Sequence, residues 1–207
     1  TVSFTDAGAA DTHDAAIAWG DGQSSTVNAG TATSASATHA YAAAGFYSVT
    51  VTVRDDEGAS AVTHASIIVY DAAAGRLTGA GWITNTAGAK TTFGVDVRYA
   101  GRSTPSGIVT LLAAQGAIYA VEGTSFDWMV VQGAVANVRG SGRLANGTPV
   151  GFLIAARDGK VAGDRIDRVR VKLWNLSTGV VLFDSEPGAP DSAPPAGTLG
   201  GGNVALH

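Results

Sequence analysis

Phe46-Tyr47-Ser48-Val49-Thr50-Val51-Thr52-Val53-Arg54 alternates apolar and polar residues without a break. A period of two puts Tyr47, Val49, Val51 and Val53 on one face and Ser48, Thr50, Thr52 and Arg54 on the other, the pattern of a half-buried β-strand. Downstream, Asp55-Asp56-Glu57-Gly58 is turn chemistry, and residues 61–70 read as the returning strand. Upstream, residues 15–19 form a short strand that ends in Gly20-Asp21-Gly22. The two glycines there allow the positive φ that a tight hairpin requires.

Past a small hinge at 71–75 the pattern changes. Strands are expected near 76–84, 91–100, 107–113, 117–122, 125–131, 134–140, 149–157, 166–175 and 179–184. Turn residues such as Asn146-Gly147 and Asp158-Gly159 separate them. Phe126, Trp128 and Val130 are expected on one face of their strand. Val169, Val171 and Leu173 are expected opposite Arg168, Arg170 and Lys172. The stretch 186–202, rich in Pro, Gly and Ser, reads as irregular, and 203–207 as a last edge strand. Many short strands with polar turns and no sustained 3.6-residue period indicate a sandwich or barrel.

Composition narrows the function classes. Charged residues make up 14% of the chain, so much of the polar surface must come from Thr, Ser, Asn and Gly. With no Cys there is no disulfide framework, thiolate metal site or Cys nucleophile. No apolar run approaches the roughly 18 residues of a membrane helix. The opening residues 1–5 are strand-like with no signal peptide before them, which reads as a processed product or a piece of a longer chain. Residues 1–72 hold Arg54 against eight acidic residues, a net −7, whereas the remainder is +3. Two domains of opposite sign follow, 1–72 and 73–207. The basic excess is too small and too poor in stacking aromatics for nucleic acid.

The order Phe4-Thr5-Asp6-Ala7-Gly8, Asp11-Thr12-His13, Trp19-Gly20-Asp21-Gly22, His39-Ala40-Tyr41 and Gly45-Phe46-Tyr47 leading into the Val-Thr-Val-Thr-Val strand resembles the PKD (polycystic kidney disease-type) domain. In that pattern Trp19 is a buried anchor and the Tyr41 hydroxyl ties a corner. The strand expected before Phe4 is short or missing. Residues 73–207 resemble a β-rich domain that follows PKD repeats in large bacterial surface and secreted proteins. The resemblance implies an all-β fold, an Ig-like β-sandwich followed by a larger antiparallel sandwich or barrel-like domain. It also implies a bacterial, extracellular or cell-surface setting and carries no chemistry with it.

Candidate sites are few. Asp6, Asp21, Asp55 and Asp56 offer hard oxygen ligands for a structural Ca²⁺ at the loops of the first domain, against the simpler reading that they cap turns. Trp174, with Arg168, Arg170 and Lys172 on the same face, is the candidate ligand-binding set for a polysaccharide. The other aromatics considered for stacking are Trp82, Trp128, Tyr99 and Tyr119. Glu122, Asp127, Asp164 and Asp167 show no spacing that selects a glycosidase pair, and no G-x-S-x-G elbow accompanies the histidines. The chain therefore reads as a non-catalytic extracellular structural or adhesion module without a cofactor, a spacer or surface-assembly unit whose partners are other copies or domains of the same surface protein. A neighbouring subunit completing the first domain by strand addition would give filaments, with 203–207 as a candidate donor. The rival reading is an accessory module of a secreted hydrolase that binds polysaccharide or extracellular protein.

Overall fold

A computed structural model describes every residue except Ala9, Ala74, Thr86, Ala87 and Gly116, leaving aside the side chains of residues 114, 115, 117 and 118. Ala74, within the expected hinge, thus lies outside the described residues. The chain divides into two compact units, Thr1–Val69 and Tyr70–His207. Apart from one short helix, the regular structure of the described residues is antiparallel β.

In unit 1, strands β1 (Val2–Ser3), β2 (His13–Ala18), β3 (Ser24–Gly30), β4 (Ser34–Ala35), β5 (Gly45–Asp55) and β6 (Ser60–Val69) form two sheets. One has four strands in the order β3-β2-β5-β6, and the other is only β1 paired with β4. The alternation in β5 buries Val49 and Val53, which pack with Ala15 and Ile17 of β2. Trp19 anchors the end of β2 as the PKD pattern implies, and the Tyr41 hydroxyl donates to the Trp19 carbonyl at 3.0 Å. His39 stacks on Trp19 with ring centres 4.8 Å apart, and its Nε2 lies 2.7 Å from the Asp21 carboxylate. Gly20 is required twice over: its φ is +86°, and a Cβ would lie 2.6 Å from the Ser48 carbonyl oxygen. Strand β3 was not legible in Ser24-Ser-Thr-Val-Asn-Ala-Gly30, where few apolar residues mark a period.

In unit 2, β7 (Arg76–Thr84), β8 (Lys90–Arg98), β9 (Ser106–Gln115), β10 (Ala117–Gln132), β11 (Val135–Leu144), β12 (Pro149–Arg157), β13 (Arg168–Asn175), β14 (Val181–Asp184) and β15 (Gly201–Leu206) form one sheet. Its order is β14-β13-β12-β11-β10-β9-β8-β7-β15. All nine strands contribute to a single core, among them Leu77, Val97, Val109, Met129, Val138, Phe152, Val171, Phe183 and Val204, so the sheet curls around itself. Tyr99 seals one part of it. Its hydroxyl donates to the Met129 carbonyl at 2.8 Å and accepts from the Met129 N–H at 2.9 Å, while Tyr70 stacks on its ring.

The structure corrects two strand readings. Residues 117–122 and 125–131 belong to one long strand, β10, bent by register shifts at Gly123/Ser125 and Phe126/Trp128. The second shift makes Asp127 an extra residue, which reverses the facing of everything beyond it. Phe126 therefore joins Met129 and Val131 against the core, and Trp128 and Val130 take the opposite face. The expected common face for Phe126, Trp128 and Val130 is wrong for that reason.

Closure of the curl depends on two carboxylates. The N–H groups of Ala205 and its odd-numbered neighbours point to β7, which leaves those of Val204 and Leu206 on the free edge. Val204 donates to Asp167 Oδ2 at 2.9 Å and Leu206 to Asp158 Oδ2 at 3.0 Å. Asp158 also caps the short helix α1 (Gly159–Ala162), accepting from Lys160 and Val161 through Oδ1. Burial would raise its pKa, but the N–H donors of Leu206, Val161 and Lys160 outweigh burial and hold it below the ordinary carboxylate range. Strand β15 is thus committed within its own unit, which removes 203–207 as a donor for another sheet. Replacing Asp158 with Ala orphans all three donors and is expected to lower the urea-measured stability of unit 2 by about 3 kcal/mol.

Candidate functional site

The predicted ligand-binding row is not a free surface. β13 does place Arg168, Arg170, Lys172 and Trp174 on one side, with Val169, Val171 and Leu173 in the core. Each of the three cations is nevertheless already engaged. Arg170 is completely buried, and its guanidinium clasps Asp184 at 3.0 and 2.8 Å. It also donates to the carbonyls of Pro190 at 2.7 Å and Ala189 at 2.8 Å. Lys172 Nζ reaches Asp191 at 2.7 Å, and Glu186 accepts from the N–H groups of Ala196 and Gly197 at 2.8 Å. These bonds strap the Pro-rich segment across the outer side of β13. That segment lacks regular structure until Thr198 bridges to Arg168 and β15 begins, yet it is well fastened.

Arg168 joins Arg157 on the Asp164 carboxylate at 3.0 and 2.8 Å. The Ile166 N–H and the two arginines hold the Asp164 pKa down to about 2. Trp174 is half-buried over Gly151, where a Cβ would lie 2.1 Å from the indole, and the Arg139 guanidinium sits 5.0 Å from its ring centre. Trp82 has Lys90 Nζ 4.4 Å from its ring centre and the backbone of Gly200 and Gly201 packed on it. Tyr99 is buried and Tyr119 packs against the core, so the aromatics do not assemble into a stacking platform.

The four aspartates proposed for Ca²⁺ do not form one ligand set. Asp55 ends β5 opposite His13 of β2, Asp56 follows it, and Asp6 pairs with His13 at 3.3 Å. Asp21 lies past Ala18 at the other end of β2, about 17 Å along the strand. Each has an oxygen engaged by backbone N–H groups: Asp6 by Ala7, Asp55 by Ala59 and Asp21 by Gln23 in local turns, and Asp56 by Thr12 across the unit. Among the described residues no group of three or more His, Cys, Asp and Glu is placed to hold a metal ion.

What stands open in unit 1 is an edge. β6 pairs with β5 from Ser60 to Val69 without a register shift, and nothing pairs with its other side among the described residues. Ala61, Thr63 and Ala65 lie opposite Val53, Val51 and Val49, on the face that carries the core, yet all three are exposed. The second sheet is too small to reach them: β1 and β4 are two residues each. A cleft of about 170 Å³ opens there between Phe4, His13 and Val53 on one side and Ala59, Ser60 and Ala61 on the other. From Ser60 to Val69 the strand has neither Pro nor a charged Lys, Arg, Asp or Glu, the devices that protect exposed edges. Sequence reasoning pointed here only through the short first strand.

Two variants test the fastening in unit 2. Arg170→Ala leaves Asp184 buried without its partner and is expected to cost about 3–5 kcal/mol in a denaturant melt. Asp164 is the acid-sensitive pair. Because its folded pKa of about 2 lies below the ordinary 3.8, the stability it adds is full above that ordinary value and is lost as pH falls toward 2. Thermal midpoints recorded across that interval are expected to fall less steeply for Asp164→Asn than for the unmodified protein.

No curated protein and no solved structure matches the chain. Residues 1–69 match the family model of the PKD domain, an Ig-like β-sandwich, and the match ends where unit 1 ends.

Proposed function

We propose that this chain is a non-catalytic structural or adhesion module of an extracellular surface protein, and that unit 1 joins another copy or domain of that protein by strand addition along β6. The PKD match supports the general setting, since PKD domains are typical of extracellular proteins. No helix among the described residues is long and apolar enough to cross a membrane. The observation that carries the reading is the uncharged, uninterrupted edge of β6 above a core-side face left uncovered.

An added strand would meet both needs at once. It would pair the free backbone groups of β6, and its side chains would cover Ala61, Thr63, Ala65 and the cleft beside Phe4. Three of the four carboxylates weighed for catalysis, all but Glu122, make structural contacts. Asp164 accepts from the Ile166 N–H within the β12–β13 connection, Asp167 accepts from the N–H groups of Gly159 and Val204, and Asp127 faces Arg139 at 3.4 Å.

Sedimentation of the full chain over a concentration series is expected to show reversible association. The pair Thr63→Lys and Ala65→Lys, which sets charges on the exposed core-side face, is expected to abolish it with little change in melting temperature. A chain that stays monomeric at every concentration, or lysine variants that associate as the unmodified protein does, would overturn strand addition.

A further inference from the structure

Unit 2 gathers cations at one end of its sheet. His207 and Arg76 exchange both backbone hydrogen bonds at 3.0 Å, and Arg76 lies directly opposite Arg98 in the β7–β8 register. Leu77 and Val97 point into the core, so Arg76 and Arg98 project outward beside each other. Like charges directly opposite on a sheet repel. Asp96 relieves only one of them, taking a two-point bond from the Arg76 guanidinium. Its acidity is increased first by that bond and further by Arg98 and His207.

A third arginine arrives from the connection after β8. The Arg102 N–H bonds to the Tyr99 carbonyl at 3.0 Å, closing a turn in which Ala100 has φ +49° and Gly101 φ +73°. Two successive positive φ values make this a tight reversing turn, and Ala rarely adopts the left-handed region. The turn brings Arg102 and Ser103 to the rim of a recess of about 690 Å³ that Arg76, Arg98 and His207 also line. Among the described residues neither Arg98 nor Arg102 has a carboxylate within ion-pair distance. Asp71, whose charge acts on Tyr99, accepts a hydrogen bond from the Ala73 N–H at 2.8 Å.

We infer that this recess binds the oxyanion of a small solute, a sulfate, phosphate or carboxylate group held by Arg98 and Arg102. A guanidinium presents planar, paired N–H donors matched to such groups. An anion between the two arginines would also offset the repulsion that the Arg76–Arg98 pairing creates. This is a separate surface from the β6 edge and does not depend on it.

The test is calorimetric titration of the full chain at low ionic strength with sodium sulfate, sodium phosphate and sodium acetate, with sodium chloride as the reference. At least one oxyanion is expected to bind saturably and well above chloride. Preference for sulfate and phosphate identifies a tetrahedral ligand group, and equal binding of acetate a carboxylate. The double variant Arg98→Gln, Arg102→Gln changes exposed side chains only and is expected to lose about tenfold or more in affinity. Arg143→Gln, on β11 and outside the recess, is expected to bind as the unmodified protein does. If no oxyanion exceeds chloride, or the double variant binds unchanged, the inference fails.

Discussion

The carboxylates of Asp158 and Asp167 accept the outward N–H groups of Leu206 and Val204, and the curled sheet of unit 2 depends on those two bonds for its edge. An open antiparallel sheet ends in unpaired N–H and C=O groups, which must be paired, covered or left to attract another strand. Unit 2 takes the second course at β15. A capped helix and the loop after it deliver acceptors where a neighbouring strand would otherwise lie. Among the described residues unit 1 has no such device at β6, so the same physical constraint leaves the β15 edge covered and the β6 edge open.

Charge placement follows a similar division. The cations of β13 serve internal fastening: Arg170 holds the strap over the sheet, Lys172 secures Asp191 and Arg168 shares Asp164. A strand that alternates Val with Arg looks solvated when only its period is considered. Here its outer side is a second packed layer, with Leu153 and Ala155 buried although their neighbours on β12 face the core. Beside Arg98 the nearby carboxylate, Asp96, is taken by Arg76, and this leaves Arg98 without an ion pair among the described residues.

Most strands were legible. The alternation of residues 46–54 located β5, and apolar periodicity with turn residues located β7 and β12 with the bounds the structure shows. Trp19 is the buried anchor and Tyr41 ties the corner as the PKD pattern implies, and the structure adds His39 stacked on Trp19. What escaped were β3, built from residues with little apolar contrast, and the Asp127 bulge, which no local pattern announces because one extra residue changes facing without changing composition. Helix α1 escaped as well, since four residues are too few to show a period.

Sequence alone determined that the chain is almost all β, where most of its turns fall and that its first part resembles a PKD domain with a stunted opening strand, because strand period, turn chemistry and the Trp-Gly-Asp-Gly motif are local properties. Only the tertiary structure decided which charged residues are free and which edges are closed. Arg170 and Asp184 are fourteen positions apart, and Asp158 meets Leu206 across forty-eight. The first pairing comes from the β13–β14 hairpin and the second from the approach of β15 to the end of β12, and neither follows from spacing along the chain. The opening strand is a two-residue β1, and its consequence lies across the cleft beside Phe4, where β6 is exposed from Ser60 to Ser66.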